Sequence, residues 1–372
     1  MEKNRVKLMI PGPVEVHPDV LKAVGDPVEP HYGPAWVEKY SKVIDLLRQV
    51  FKTKNDVFLL AGSGTCAIDA CMGSALRSGE KIVIANNGFF GDRLISIAKA
   101  NALNVIEVKA DWGTRIDAQA IKDALQQNSD AKMVAVVHSE TSTTILNPID
   151  EIGSVVKESD AVFMVDAVSS LGGVPYETDA WGLDMCASAT QKCLGALPGL
   201  APVAVSPKAW ALIDRSGEIG HGWYTNLRTW REYAKEWGDW HPTPVTMPVN
   251  LVNGLLISLD QLIAEGIPSR MARYQSLAMR LRNGLREAGM PPFTPDEALN
   301  PVLTAAYPPS GIDSGEIVNY LLKEHQIQIS GGLGHLKPKI FRIGNMSPVI
   351  SDEDMDNLIE ALKRFHQQIM TL

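Results

Sequence analysis

Six short runs of the chain, at 57–60, 81–85, 105–108, 133–137, 162–165 and 202–205, are apolar in consecutive rather than alternate positions. That is the pattern of strands covered on both faces. Between them lie stretches of helical length and spacing, at 67–76, 93–102, 118–125 and 149–158. The alternation predicts an α/β unit, a mostly parallel sheet of the seven-stranded type covered by helices on both faces. Near residue 259 the pattern changes. An amphipathic stretch at 269–288 leads into strand-like 302–307, a helix at 314–324, strand-like 327–329 and 340–343, and a closing helix at 352–369. The chain therefore divides into a large domain, 1–258, which includes the N-terminal segment, and a smaller α+β domain, 259–372. The segment 221–249 follows neither pattern. It holds Trp223, Tyr224, Trp230, Tyr233, Trp237 and Trp240 with Pro242, Pro244 and Pro248, which suits either a subunit interface or a long loop folded over its own domain.

Composition narrows the function classes. With 372 residues, 45% hydrophobic and 21% charged, the chain can bury a large core. A net charge of -8 offers no basic surplus for a nucleic-acid backbone, and no apolar run is long enough to span a membrane. The start of the chain, Met1-Glu2-Lys3-Asn4-Arg5, leads into an apolar stretch that Pro11-Gly12-Pro13 breaks at once. A signal-peptide core is thus not expected and a cytoplasmic address is. Cys66, Cys71, Cys186 and Cys193 lack metal-ligand spacing, so reduced, mostly buried thiols and no metal are expected.

The chemistry concentrates in a few places. Lys192 follows Gln191 and precedes a turn rich in glycine and proline, where a solvated lysine is not expected; the apolar run 162–165 ends in Asp166. A lysine amine for a Schiff base and a carboxylate facing a pyridinium nitrogen are what a pyridoxal phosphate enzyme needs. Asp166 alone reads equally well as the cap of the next helix. Upstream, the run 57–60 enters Gly62-Ser63-Gly64-Thr65, and a helix opens directly after it. Glycines, free amides and the hydroxyls of Ser63 and Thr65 could cradle one phosphate, although such a turn is often simple capping. Arg342, inside a short apolar strand, suits a carboxylate clamp, and Phe90 could stack on a planar ring.

Taken together the motifs carry a resemblance over nearly the whole chain. Pro11-Gly12-Pro13, Gly62-Ser63-Gly64-Thr65, Asn87-Gly88-Phe89-Phe90-Gly91, His138-Ser139-Glu140-Thr141-Ser142-Thr143, Asp166-Ala167-Val168-Ser169-Ser170-Leu171-Gly172-Gly173, Gln191-Lys192 with Pro198-Gly199-Leu200, and Phe341-Arg342-Ile343-Gly344 occur in the order and spacing of class V aminotransferases. Within that class the chain resembles the alanine-glyoxylate / serine-pyruvate branch. The resemblance implies a fold-type I pyridoxal phosphate enzyme, usually a homodimer with sites at the subunit interface. By position it makes Lys192 the Schiff-base lysine and Asp166 the pyridinium partner, and puts Ser63, Gly64, Thr65 and Gln191 around the phosphate. It places Thr141 by the phenolic oxygen, Val168 on one ring face and Arg342 on the substrate carboxylate.

Three positions depart from the family pattern. Phe90 stands where a Trp is common. Thr246 matches a residue that the partner subunit lends to the phosphate, but Thr243 stands where a Tyr is usual. His31 and Tyr32, in the loop that faces the donor side chain, are bulkier than an alanine pocket requires. The expected reaction is ping-pong transamination from alanine or serine to glyoxylate or pyruvate. The alternatives are a pyridoxamine-pyruvate aminotransferase, which needs no phosphate grip, or a class V transaminase acting on a larger polar donor. A cysteine desulfurase is disfavoured because Gln191, not His, precedes the lysine.

Overall fold

The computed structural model describes residues 6–215 and 222–371. Its centre is a seven-stranded sheet of β1 (Asp56–Gly62), β2 (Lys81–Asn86), β3 (Asn104–Lys109), β4 (Met133–Val137), β5 (Val162–Asp166), β6 (Met185–Ala187) and β7 (Gly199–Val205), in the order β1-β7-β6-β5-β4-β2-β3. Only β7 runs against its neighbours, pairing antiparallel with β1 and β6; the other pairs are parallel. Every residue of β4 and β5 is buried, as their unbroken apolar pattern requires of a sheet covered on both faces. All six strands read from the sequence are present. The seventh, β6, is three residues long, too short for any periodicity to register. Its pairings with β5 and β7 define it.

This topology decides where chemistry can happen. The parallel strands end along one edge of the sheet, and a ligand crevice forms outside those ends. From that edge β1 runs into helix α1 (Gly64–Ala75), β2 into helix α2 (Phe89–Ala100), β4 into residues 138–147, and β5 ends on Asp166 itself. Because β7 is reversed, the turn that precedes it, which carries Lys192, returns to the same edge, with Gly199 paired to Gly62.

The aromatic segment is more ordered than its composition suggests. Helix α3 (Leu227–Glu236) occupies its middle, started by the Asn226 side chain accepting from the Arg228 amide. Trp230 is buried in the large core, whereas Trp223, Trp237 and Trp240 remain about half exposed. His221 lies outside the described residues.

Helix α4 (Val249–Glu265) runs straight through residues 258 and 259, and Leu259 and Leu262 pack into the large core. A second core then gathers Tyr274, Leu277 and Leu281 of helix α5 (Ile267–Glu287). To these it adds Ile317 and Leu321 of α6 (Ser314–His325) and Leu358 and Leu362 of α7 (Asp352–Met370), against a small antiparallel sheet. That sheet is β8 (Leu303–Ala306), β10 (Phe341–Gly344) and β9 (Ser330–Gly331), in that order. Met9 and Val14, from the start of the chain, belong to this second core. Lys7 and Leu8 pair in parallel with Ile327 and Gln328, a partner some 320 positions away that no local pattern reveals. No helix of the described residues is long and apolar enough to cross a membrane.

Candidate active site

At the carboxyl edge of the sheet lies a cavity of about 300 Å³. One end is the start of α1. Ser63 Oγ accepts from the Cys66 amide at 3.3 Å, a normal N-cap, so the capping reading of this turn holds. The amides of Gly64 and Thr65 make no bond to the described residues, and Ser63, Gly64 and Thr65 all line the cavity. A helix N-terminus with free amides facing a cavity is a ready anion site. Gly64 is there because of Val168: a Cβ at 64 would lie 2.5 Å from Val168 Cγ2. Gln191 borders the same space and carries a buried amide oxygen with no partner among the described residues, leaving hydrogen-bonding capacity for whatever fills the cavity.

Asp166 and Lys192 share this cavity. The Val168 amide donates to Asp166 Oδ1 at 2.9 Å, which leaves Oδ2 without a donor among the described residues. Burial pushes the Asp166 carboxyl up to about 6, against the opposing pull of that amide, Arg93 and Lys192. The Lys192 amine donates to the Pro11 carbonyl oxygen. Gly12 packs against its stem, where a Cβ would stand 2.6 Å from Lys192 Cδ. Burial brings the amine down to about 8; Arg342 and Arg93 act in the same direction, Cys193 and Asp166 in the other. A lysine so lowered is a usable base near neutrality. Beneath Asp166 the His138 amide donates to the Asp166 carbonyl at 3.0 Å. Burial drives the His138 ring down to about 3, so it stays neutral.

Phe90, Val168 and Thr141 complete the walls. The Thr141 hydroxyl donates to Ser169 Oγ at 2.8 Å, and its carbonyl accepts from Arg342 Nη1 at 3.0 Å. Arg342 Nε donates to the Gly331 carbonyl at 2.9 Å. Arg342 does not line this cavity but another, of about 580 Å³, with Ser330 and Gly331. Burial pushes its guanidinium down to about 10, with Glu140 opposing.

The structure thus brings together Ser63, Gly64, Thr65, Phe90, Thr141, Asp166, Val168, Gln191 and Lys192, with Arg342 one residue behind through Thr141. It does not bring Thr246, His31 or Tyr32 to the cavity of their own chain. Thr246 is exposed. The neighbouring Thr243 is wholly buried, its hydroxyl donating to the Val245 carbonyl at 3.1 Å. His31 Nδ1 and His241 Nε2 are hydrogen-bonded at 2.8 Å, and the half-exposed Tyr32 ring packs 5.4 Å from Trp240.

Arg93, Ser169, Ser139 and Ile68 line the cavity without having been read from the sequence. Arg93 is one helical turn beyond Phe90, and its guanidinium lies 4.7 Å from the Phe90 ring centre. The i, i+3 spacing from Phe90 was the one available signal.

The residues present fit pyridoxal phosphate on observations of this chain alone. There is an unpaired anion cup, a buried carboxylate with a free oxygen, and a desolvated lysine in one cavity with an apolar wall. Among the described residues no group of three or more His, Cys, Asp or Glu is placed to hold a metal ion.

Comparison with known proteins agrees. Residues 29–347 match the model of the family described as aminotransferase class-V. An uncharacterized aminotransferase of Methanocaldococcus jannaschii is 40% identical over 91% of this chain and 87% of its own. The crystal structure of an alanine-glyoxylate aminotransferase from Nostoc sp. superposes with a TM-score of 0.93 at 32% identity, over 98% of this chain and 96% of the other. That of a ureidoglycine-glyoxylate aminotransferase from Bacillus subtilis gives a TM-score of 0.93 at 30% identity, over 99% and 94%. With that fold and that cavity, the chain belongs to the class V aminotransferases.

Proposed function

We propose that this transaminase is a cytoplasmic homodimer that moves an amino group from alanine or serine to glyoxylate or pyruvate by a ping-pong mechanism. The carrying observation is the placement of Lys192 and Asp166 in one cavity whose far end is the free amides of α1. Members of the class use pyridoxal phosphate. When bound, that group supplies an aldehyde carbon for the amino group and a cationic ring that stabilises negative charge at the substrate α-carbon.

The amides of Gly64 and Thr65, with the hydroxyls of Ser63 and Thr65 and the Gln191 amide, would hold the phosphate. Asp166 keeps its free oxygen for the ring nitrogen, and its carboxyl, at about 6, is ionised at neutral pH even before a cation faces it. Phe90 and Val168 wall the ring. The Lys192 amine would take the proton from the substrate α-carbon, a role its lowered basicity suits. Arg342 keeps two backbone acceptors, Gly331 and Thr141, which fix its plane and leave the Nη1 and Nη2 edge for a carboxylate.

His31, Tyr32 and Thr246, exposed or half-exposed and away from their own cavity, serve the partner's site in this reading. Their bulk, together with the likeness to the ureidoglycine-glyoxylate enzyme, also favours a second reading in which a larger polar donor is used. Retention of the phosphate cup speaks against pyridoxamine as substrate. The test is a donor screen of cofactor-loaded protein by loss of the bound-cofactor absorbance, followed by glyoxylate and pyruvate for its return. No response to any small neutral amino acid would overturn the proposal.

A further inference from the structure

Glu140 is fully buried, and neither the cofactor nor the substrate contacts above employ its charge. Its carboxylate accepts four hydrogen bonds. Oε2 takes the Phe90 and Gly91 amides at 3.0 and 3.1 Å, and Oε1 takes the Ser142 amide and hydroxyl at 2.9 and 2.5 Å. Ser142 Oγ in turn accepts from the Phe89 amide at 2.9 Å. The first turn of α2 is therefore satisfied from residues 140 and 142 rather than by its own N-cap, Gly88, which has no side chain to offer. Gly88 is what admits the carboxylate: a Cβ there would stand 2.4 Å from Glu140 Cδ.

A serine N-cap would start such a helix without burying a charge. What the carboxylate adds is its neighbourhood. The turn it holds carries Phe90, the wall of the cofactor cavity. The next residue, Thr141, bonds Ser169 in that cavity with its hydroxyl and Arg342 with its carbonyl. Glu140 is also the charge that opposes the effect of burial on the Arg342 guanidinium.

We propose that Glu140 is a positioning residue that locks the ring wall at Phe90 and the carboxylate clamp at Arg342 into one unit, so that cofactor tilt and substrate grip are set together. This rests on the roles given to Phe90 and Arg342 above. If Arg342→Lys alone were silent, that assignment would be at fault rather than the coupling.

The experiment compares Glu140→Gln, Arg342→Lys and the double variant as cofactor-loaded protein. Visible circular dichroism of the bound cofactor and KM against kcat for alanine and glyoxylate are the readouts. The amide keeps one acceptor edge but turns a donor toward the two hydrogen-bond donors at the other. The dichroism is expected to change, KM for both substrates to rise by about tenfold, and Arg342→Lys to cost less in the Glu140→Gln background than in the wild type. A Glu140→Gln protein that loses only thermal stability, with dichroism and KM unchanged, or KM effects that simply multiply, would overturn the proposal. Should Glu140→Gln not fold, Ser142→Ala removes the hydroxyl bond to Glu140 and the acceptor of the Phe89 amide without touching the charge. It should shift the dichroism and raise KM by about threefold, and no change in either would equally refute the coupling.

Discussion

Arg342 Nη1 donates to the Thr141 carbonyl at 3.0 Å, joining residues 201 positions apart. Through this bond the small sheet, which carries Arg342 on β10, is fixed to the edge of the large one, where Thr141 follows β4. Lysine in place of Arg342 would keep a charge but could hold neither Gly331 nor Thr141 while presenting two parallel N–H groups to a carboxylate. Arg342→Lys should lower kcat/KM for every amino and oxo acid by about 10- to 100-fold, mainly through KM. Aspartate and glutamate should remain poorer donors than alanine and serine. Another cation of the site, Arg93, is held over Phe90 and faces the charge of Asp166. Aspartate as the best donor would refute this, and Arg93→Leu would then be expected to abolish that preference.

Lys192→Ala should leave the fold and the anion cup intact while abolishing turnover. The Lys192 amine contributes only one backbone bond, to Pro11. After borohydride treatment of cofactor-loaded protein, mass spectrometry should find the cofactor fixed to the peptide containing Lys192 in the wild type and to no peptide in the variant. Fixation to another lysine would reject the assignment.

Asp166→Asn should reduce kcat by several orders of magnitude, because a neutral pyridine ring is a poor electron sink. Its second signature needs no cofactor. Burial moves the Asp166 carboxyl from 3.8 to about 6, so between those values the folded chain keeps a proton that the unfolded chain has released. The contribution to stability is therefore present at low pH and is lost as pH rises through 6. In urea titrations of cofactor-free protein, the wild type should lose up to about 3 kcal/mol relative to Asp166→Asn between pH 4 and 7. Glu140, also raised to about 6, leaves a slope in both proteins. Parallel curves would mean that Asp166 is not a buried, unpaired carboxyl in the free protein.

If Thr246 serves the neighbouring cavity, Thr246→Ala should weaken cofactor binding by about tenfold, the worth of one charge-assisted bond to a phosphate. Mixing it with Lys192→Ala should then restore one fully wild-type site per mixed dimer. Activity returning on mixing, in proportion to heterodimer, is the expected outcome. No recovery would place Thr246 in its own chain's site or outside any.

Much of this was legible in the sequence because the informative residues sit where local pattern changes. Asp166 ends an apolar strand, Gly64 lies between strand and helix, and Lys192 interrupts a buried run. What escaped depends on contacts between distant segments. Glu140 reads as one acid in a polar stretch until Phe90 and Gly91, 50 and 49 positions earlier, are seen to donate to it. Strand β6 is made by its neighbours. The hydrophobic pattern changes near residue 259, but α4 carries one apolar face straight across that point into the large core. The helix inside the aromatic segment was hidden by Trp and Tyr, which carry weak helix propensity and here form its amphipathic faces.

The segment 7–14 is also a mechanical strap. Lys7 and Leu8 are zipped to Ile327 and Gln328, the Met9 carbonyl accepts from the Gly344 amide, and the Pro11 carbonyl holds the Lys192 amine. The reactive amine is thereby tethered, through the three residues Met9 to Pro11, to Gly344 at the end of the strand that carries the substrate clamp. A displacement of that strand in the cofactor-free chain would therefore pull on the lysine through Met9 and Pro11. In the cofactor-free chain a single cut between Met9 and Pro11 would uncouple the two.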